Sequence, residues 1–399
     1  MEWIKNIKLE IINQQETPFV LINLDQVKEN LSFIKGLIKE NNVDWKVYYA
    51  IKASYFYPVL KSLKEAGING IEVISNLEKN IANKAGFSNN QIVYNGLFRK
   101  KQEILEVLKE GGIVNIDSVQ ELESLIGEQD LSLGLRFYPE FEGQGNFVKK
   151  ESKLGLDKFS FEKCINLCKK EKIRVRGLSF HIYSNLTELS DLKKSIEGCL
   201  NLIDKIEKEL GYSLEYLDIG GGFDAPSLLS ENFSEQFKEI SSLIKQRKPK
   251  IKVISEFGRF LVNDAVVIIS SVKGIKENAL KKWVVIDIGT NYLIPAPGKN
   301  FKVFPLIKRK PDNKQKSHIV DAICSPAGII QEDNSFGPYK IGEKIAVCNS
   351  GAYTSVMKEQ FIFEDPKHLF LKEGMVVETI DKFKLNDVLR YHGWKIKCN

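Results

Sequence analysis

Between about residue 45 and residue 260, short apolar runs alternate with longer stretches in which apolar residues recur three and four apart. The runs are VYYAIK, IEVIS, IVYNG, IVNID, LGLRF, GLSFHI, YLDIGG and KVISEFG, eight in all. The stretches between them include EKCINLCKKEK and DLKKSIEGCLNLIDKIEKEL, where charges fill the positions between apolar residues at helical spacing. Strand and helix repeated eight times predict an α/β fold, a parallel (β/α)8 barrel of TIM type over residues 25–265. After about residue 265 the pattern changes. AVVIISSVKGI, KWVVIDIG, EKIAVCN and GMVVETI are rich in Val and Ile and separated by turn residues, and helical spacing returns only at LNDVLRYHGW. Residues 266–399 therefore predict a mostly antiparallel β domain. TPFVLINL, near the start, also reads as a strand. It has the choice of joining that domain or leading into the barrel, and residues 1–24 are assigned to the β domain.

Composition narrows the class. A chain of 399 residues is long enough for two domains, and 43% hydrophobic content is ordinary for a soluble protein. No run approaches the ~18 apolar residues of a membrane span. The opening MEWIKNIKLEIINQQE mixes charge into every turn, unlike a signal peptide. A cytoplasmic protein is expected. The six cysteines form no C-x-x-C pair and no zinc spacing. Cys164 and Cys168 lie one helical turn apart without a third ligand nearby, the pattern of a buried helix face. The net charge of +6 is dispersed, with short clusters such as KQRKPK that read as solvated loops. Nucleic acid and membrane are not expected partners, and a small anionic ligand suits the balance.

The chemistry is read at the strand ends, because barrels of this type place their active sites at the C-terminal ends of the strands. The runs end on Lys52, Ser75, Asn95–Gly96, Asp117, Arg136, His181, Gly220–Gly222 and Glu256. Lys52 is the one charged side chain within VYYAIKASYFYPVL, and it admits two readings: a strand end that reaches solvent, or an ammonium held for chemical use. Gly220, Gly221 and Gly222 read alone are a tight turn. SEFGR follows the eighth run and places Gly258 and Arg259 beside them. The loops after strands seven and eight are where such barrels hold phosphate, and arginine supplies a bidentate partner for it. A lysine, a phosphate site, a flat imidazole and a carboxylate on one rim suit a phosphorylated aromatic aldehyde. Pyridoxal 5′-phosphate is that cofactor.

These residues carry a resemblance. The chain is similar, from about Thr17 to Tyr353, to the fold-type III pyridoxal-phosphate decarboxylases, the group of diaminopimelate and ornithine decarboxylases with an alanine-racemase-like barrel. YYAIKAS resembles the family's Y-A-x-K-A-N, which implies that Lys52 is the Schiff-base lysine. Its apolar neighbours are expected to lower its pKa. IEVISNLE and NIDSVQELE resemble the family's stretches after strands two and four, and SKLGL resembles its S-K-F-G segment. FHIYSN resembles H-x-G-S, which puts His181 against the cofactor ring and Ser184 near its phosphate. GGG matches as it stands. SEFGR resembles E-P-G-R, which gives Glu256 to the pyridine nitrogen and Gly258 and Arg259 to the phosphate. NSGAYTSVM resembles G-A-Y-G and brings Tyr353 to the phosphate. Glu72 and Arg136 are expected to stand behind these groups. Family members are usually homodimers with shared active sites. Cys324, in DAICSPAGII, corresponds to a catalytic cysteine supplied by the second chain; read without the resemblance, it is a buried core thiol.

Departures from the family bear on the substrate. Ser325 and Gly328 stand where an acidic residue is common, and IPAPGKN lacks the arginine and tyrosine of the diaminopimelate enzymes' R-P-x-L-Y. Tyr183 and Phe257 replace a glycine and a proline. Diaminopimelate is therefore not the expected substrate. C-S-P and H-x-x-S-N look more like a branch acting on modified amino acids, among them siderophore intermediates and aminoacyl groups on a carrier protein. The expected reaction is decarboxylation at the α-carbon of an amino acid or conjugate, with Glu256 stabilising a protonated ring nitrogen and Cys324 or Lys52 returning a proton. An amino-acid racemase of the same barrel class is the alternative, disfavoured by Glu256 where racemases carry arginine. A non-catalytic regulatory homologue is a third reading, disfavoured by Lys52 and the intact phosphate loop.

Overall fold

A computed structural model describes residues 3–138, 152–181, 183–294 and 301–395. The chain divides into two compact units, one of Met1–Val27 with Val262–Asn399 and one of Lys28–Leu261.

In the first unit, β1 is Phe19–Asn23. The second unit is a closed barrel of eight parallel strands: β2 (Trp45–Ala50), β3 (Gly70–Val73), β4 (Ile92–Tyr94), β5 (Ile113–Ile116), β6 (Ser132–Arg136), β7 (Arg174–Ser179), β8 (Tyr216–Asp218) and β9 (Lys252–Phe257). Each of the eight apolar runs became one of these strands. Parallel strands in a barrel are buried on both faces, so their runs are nearly continuous in apolar residues. β2 closes on β9 with Tyr48 beside Glu256, and on β3 with Ala50 beside Glu72. Tyr48, Val93, Tyr216 and Ile254 fill part of the interior as one packed cluster.

The helices between the strands follow their sequence signals. Helix Asn76–Lys84 begins where the Ser75 hydroxyl accepts from the Glu78 amide, and helix Val119–Ser124 where Ser118 does the same for Glu121. Helix Ser190–Leu210 buries Leu192, Ile196, Cys199, Leu200, Ile203 and Ile206 at spacings of three and four, and ends at Gly211 in the left-handed conformation. Cys164 and Cys168 are both buried on helix Lys158–Lys170, and loss of solvation pushes each thiol up to about 12.

The remaining strands complete the first unit: β10 (Val266–Glu277), β11 (Lys282–Ile286), β12 (Lys302–Pro305), β13 (Ser317–Val320), β14 (Ile329–Asn334), β15 (Lys344–Cys348), β16 (Lys367–Lys372) and β17 (Met375–Ile380). With β1 they form one sheet in the order β14-β13-β11-β10-β1-β16-β17, to which β15 and β12 attach through β10. TPFVLINL thus supplies a strand of this sheet. Its pairing is mostly antiparallel, with parallel pairs β1–β16 and β11–β13. Alternate residues face one core: Phe19 and Leu21, Val267 and Ile269, Ala346 and Cys348, Leu369 and Leu371. Among the described residues no helix is long and apolar enough to cross a membrane.

Candidate active site

The C-terminal end of the barrel gathers most of the ionisable groups that the sequence singled out. β2 stops at Ala50, and Lys52 follows in a short 3-10 turn, Ile51–Ala53. Its side chain retains 30% exposure and forms an ion pair with Glu72, which is 1% exposed. This corrects the expectation of apolar surroundings for Lys52. Glu72 comes from β3, where the register with β2 sets it beside Ala50, so its carboxylate reaches the turn that carries the lysine. The reading of a lysine that merely escapes to solvent does not account for this pair.

Glu256 lies near the end of β9 and is buried. Asn95, at the end of β4, donates its Nδ2 to Glu256 Oε1 at 2.6 Å. Asp218 ends β8 and is also fully buried; it accepts from the Gly220 amide at 3.0 Å, from Asn115 Nδ2 at 3.1 Å and from Ser179 Oγ at 3.3 Å. Burial raises the affinity of both carboxyls for protons, and each is next to the other. Glu256 is held well above the usual carboxylate range by loss of solvation, then by Asp218 and Glu72. Asp218 rises to about 6, with burial as the largest cause. Two carboxyls in contact away from water resist ionising together.

His181 follows β7 and is half-buried. Its Nδ1 accepts from the Gly221 amide at 3.0 Å. That bond leaves the ring proton on Nε2. Loss of solvation, then the nearby charges of Arg136 and Lys52, lower its pKa to about 3, so the imidazole is neutral. Arg136 ends β6 and donates to Asp117 Oδ2 at 3.2 Å, and Asp117 Oδ1 accepts from the Gly155 amide at 3.0 Å. Arg136 and Asp117 thereby tie the SKLGL segment to the barrel rim.

The three glycines serve close packing. Gly220 has φ +66°, and a Cβ there would lie 2.7 Å from His181 Nδ1. A Cβ on Gly221 would overlap the Glu256 carbonyl, and one on Gly222 the Tyr183 carbonyl. Leu186 donates its amide to Gly222 O at 2.8 Å, so the segment containing half-buried Ser184 runs alongside the glycine loop. Gly258 precedes the short helix Arg259–Val262, and Arg259 is 8% exposed. Tyr353 and Cys324 belong to the other unit. Tyr353 is half-buried with φ +60°. Cys324 is exposed, which removes the reading of a buried core thiol. Of IPAPGKN, only Ile294 is among the described residues; 295–300 lie outside them.

The sequence reading passed over Asn115, Tyr216 and Asp218. Each is polar within an otherwise apolar barrel strand, and that was the available signal. Glu78 was also missed: it accepts from Tyr55 Oη and from the Ile74 amide, both at 2.8 Å, behind Lys52.

Comparison with known proteins now decides the family. Residues 24–263, more than half of the chain, match the model of the pyridoxal-dependent decarboxylases, pyridoxal binding domain. The chain belongs to this family. Its cofactor is pyridoxal phosphate, and it is an amino-acid decarboxylase. Among curated relatives, the diaminopimelate decarboxylase of Aquifex aeolicus is 26% identical over 381 residues, covering 92% of this chain and 89% of that protein. The lysine/ornithine decarboxylase of Selenomonas ruminantium is 25% identical over 371 residues, covering 88% and 90%. Of solved structures, AQ1208 from Aquifex aeolicus aligns with a TM-score of 0.82 at 23% identity over 96% of this chain and 94% of that one. Diaminopimelate decarboxylase from Helicobacter pylori, complexed with L-lysine, aligns at 0.80 and 23% over 96% and 98%. These alignments bear out the alanine-racemase-like fold.

Proposed function

We propose that this decarboxylase acts on an α-amino acid or amino-acid conjugate other than free diaminopimelate, with its reaction centre at the C-terminal end of the barrel. The observation that carries the placement is the convergence of Lys52, Glu72, His181 and Glu256 on one rim, with the glycine loop beside them. Bound pyridoxal phosphate supplies an aldehyde that bonds to amines and a ring that accepts the electron pair released with carbon dioxide. The residues present fit that group. Buried Glu256 suits a protonated ring nitrogen. Neutral His181, its plane fixed by the Gly221 amide, offers a flat face to a ring. Gly220–Gly222, Ser184, Gly258 and Arg259 supply amides, a hydroxyl and a guanidinium suited to phosphate.

Lys52 is the amine that holds the cofactor. Glu72 pairs with the Lys52 side chain and fixes where its Nζ stands. Glu256 would face the ring nitrogen and favour its protonated form. After carbon dioxide leaves, Lys52 or Cys324 donates a proton to the α-carbon, Cys324 coming from the second chain of a homodimer. The substrate reading rests on Ser325, Gly328 and the altered IPAPGKN segment, which lack the groups expected to grip diaminopimelate. A carrier protein that presents the substrate, and a cytoplasmic location, belong to the same reading. Diaminopimelate itself is the second reading, favoured by the names of relatives such as those from Aquifex aeolicus and Methanothermobacter thermautotrophicus.

Carbon dioxide release from the holoenzyme, measured over diaminopimelate, lysine, ornithine, arginine, glutamate, diaminopropionate and its citryl conjugate, and a carrier-bound amino acid, tests the proposal. Release from a compound other than diaminopimelate is expected. Release from diaminopimelate alone would replace the first reading with the second.

A further inference from the structure

One chain of hydrogen bonds crosses the barrel interior beneath the rim. Tyr216 Oη donates to Asn115 Oδ1 at 2.7 Å. Asn115 Nδ2 donates to Asn95 Oδ1 at 3.0 Å, as well as to Asp218. Asn95 Nδ2 donates in turn to Glu256 Oε1 at 2.6 Å and to Glu72 Oε1 at 3.4 Å. All the bonds run in one direction, so both amides are oriented by their partners, and each bond polarises the next. Asn95 is 3% exposed and Asn115 fully buried, so no water competes for these groups.

The barrel gives up side chains to make room for this chain. A Cβ on Gly134 would overlap Tyr216 Oη and Asn115 Oδ1, and a Cβ on Gly177 would lie 2.5 Å from the Tyr216 ring. Asn95 is the member that touches both carboxylates of the reaction centre: Glu256 on β9, and Glu72, which is paired with Lys52. It supplies two donors where two anionic groups would otherwise face each other.

We infer that Asn95 is a positioning residue: its amide, fixed by Asn115 and Tyr216, sets the orientation of the Glu256 carboxylate and thereby the hold on pyridoxal phosphate. The inference rests on the reading of Glu256 as the partner of the ring nitrogen. Asn95 holds Glu256 Oε1 at 2.6 Å while Asp218 lies against the same carboxyl, so Asn95 and Asp218 together fix how Glu256 is turned. A purely structural role would lower stability without acting through Glu256, and that difference can be measured.

The test is a double-mutant cycle read by pyridoxal phosphate affinity and by the visible band of the holoenzyme, with thermal unfolding as a control. Asn95→Ala is expected to weaken cofactor binding about tenfold and to shift the pH at which the visible band titrates. Asn95→Asp, of equal shape but without the donor, should weaken it at least as much, which excludes a packing effect. In a Glu256→Gln background, Asn95→Ala should change affinity by less than about twofold. Additive losses in the double variant would overturn the inference alone. A Glu256→Gln protein with parental affinity and spectrum would overturn the reading of Glu256 and the inference with it. If Asn95→Ala does not fold, Asn95→Ser enters the same cycle.

Discussion

Asp218 and Glu256 share the barrel interior with Glu72, and Lys52 is the ammonium paired there. Their raised proton affinity has a consequence for stability. Native Asp218 binds its proton more tightly than the unfolded chain does, near pH 6 against 3.8. Its contribution to folding is therefore complete below about pH 4 and is lost as pH rises through about 6. A shift of that size corresponds to on the order of 3 kcal/mol. His181 acts in the opposite direction. Its pKa falls from 6.5 to about 3, so its contribution is present above pH 6.5 and is lost as pH falls toward 3. In Asp218→Asn the acid-favoured part disappears, so the variant should gain stability relative to the parent between pH 4 and pH 6. Denaturant unfolding of the cofactor-free proteins across that range measures the difference. Parallel profiles would show that Asp218 titrates normally.

At the scale of the elements, the loop after β8 is built around atoms that a side chain would displace. Gly220→Ala combines a left-handed backbone with a Cβ 2.7 Å from His181 Nδ1. It should lower the unfolding temperature and weaken cofactor binding at least about tenfold, because His181 and the Gly221 amide lose their mutual bond. Calorimetry and cofactor titration check both parts. Unchanged affinity would separate the glycine loop from the binding site. This loop was legible in the sequence because three consecutive glycines have few structural uses. The eight barrel strands were legible for a related reason: burial on both faces leaves short apolar runs, and helical spacing separates them. Two features were not. Glu72 meets Lys52 through the register of β2 with β3, which alternation within either strand does not encode. The parallel pairs β1–β16 and β11–β13 join segments far apart in sequence, and local pattern leaves their direction open. Asn115 and Asp218 were visible as polar interruptions of apolar runs, but their partners depend on barrel closure.

At the scale of the whole molecule, the proposed function gives exposed Cys324 to the reaction centre of a second chain. Lys52→Ala and Cys324→Ala proteins, each impaired alone, should regain about a quarter of parental activity when unfolded and refolded as an equal mixture, because half the dimers then carry one intact site of two. No recovery, with dimers present by light scattering, would place Cys324 and Lys52 of the same chain together or remove Cys324 from the reaction. The placement of the reaction centre depends above all on which lysine bonds the cofactor. Borohydride reduction of the holoenzyme, followed by peptide mapping by mass spectrometry, answers that directly. The account predicts the reduced cofactor on Lys52 in VYYAIKASYF, and loss of both the label and the visible band in Lys52→Ala. A label on any other lysine, or a visible band that persists in Lys52→Ala, would contradict it.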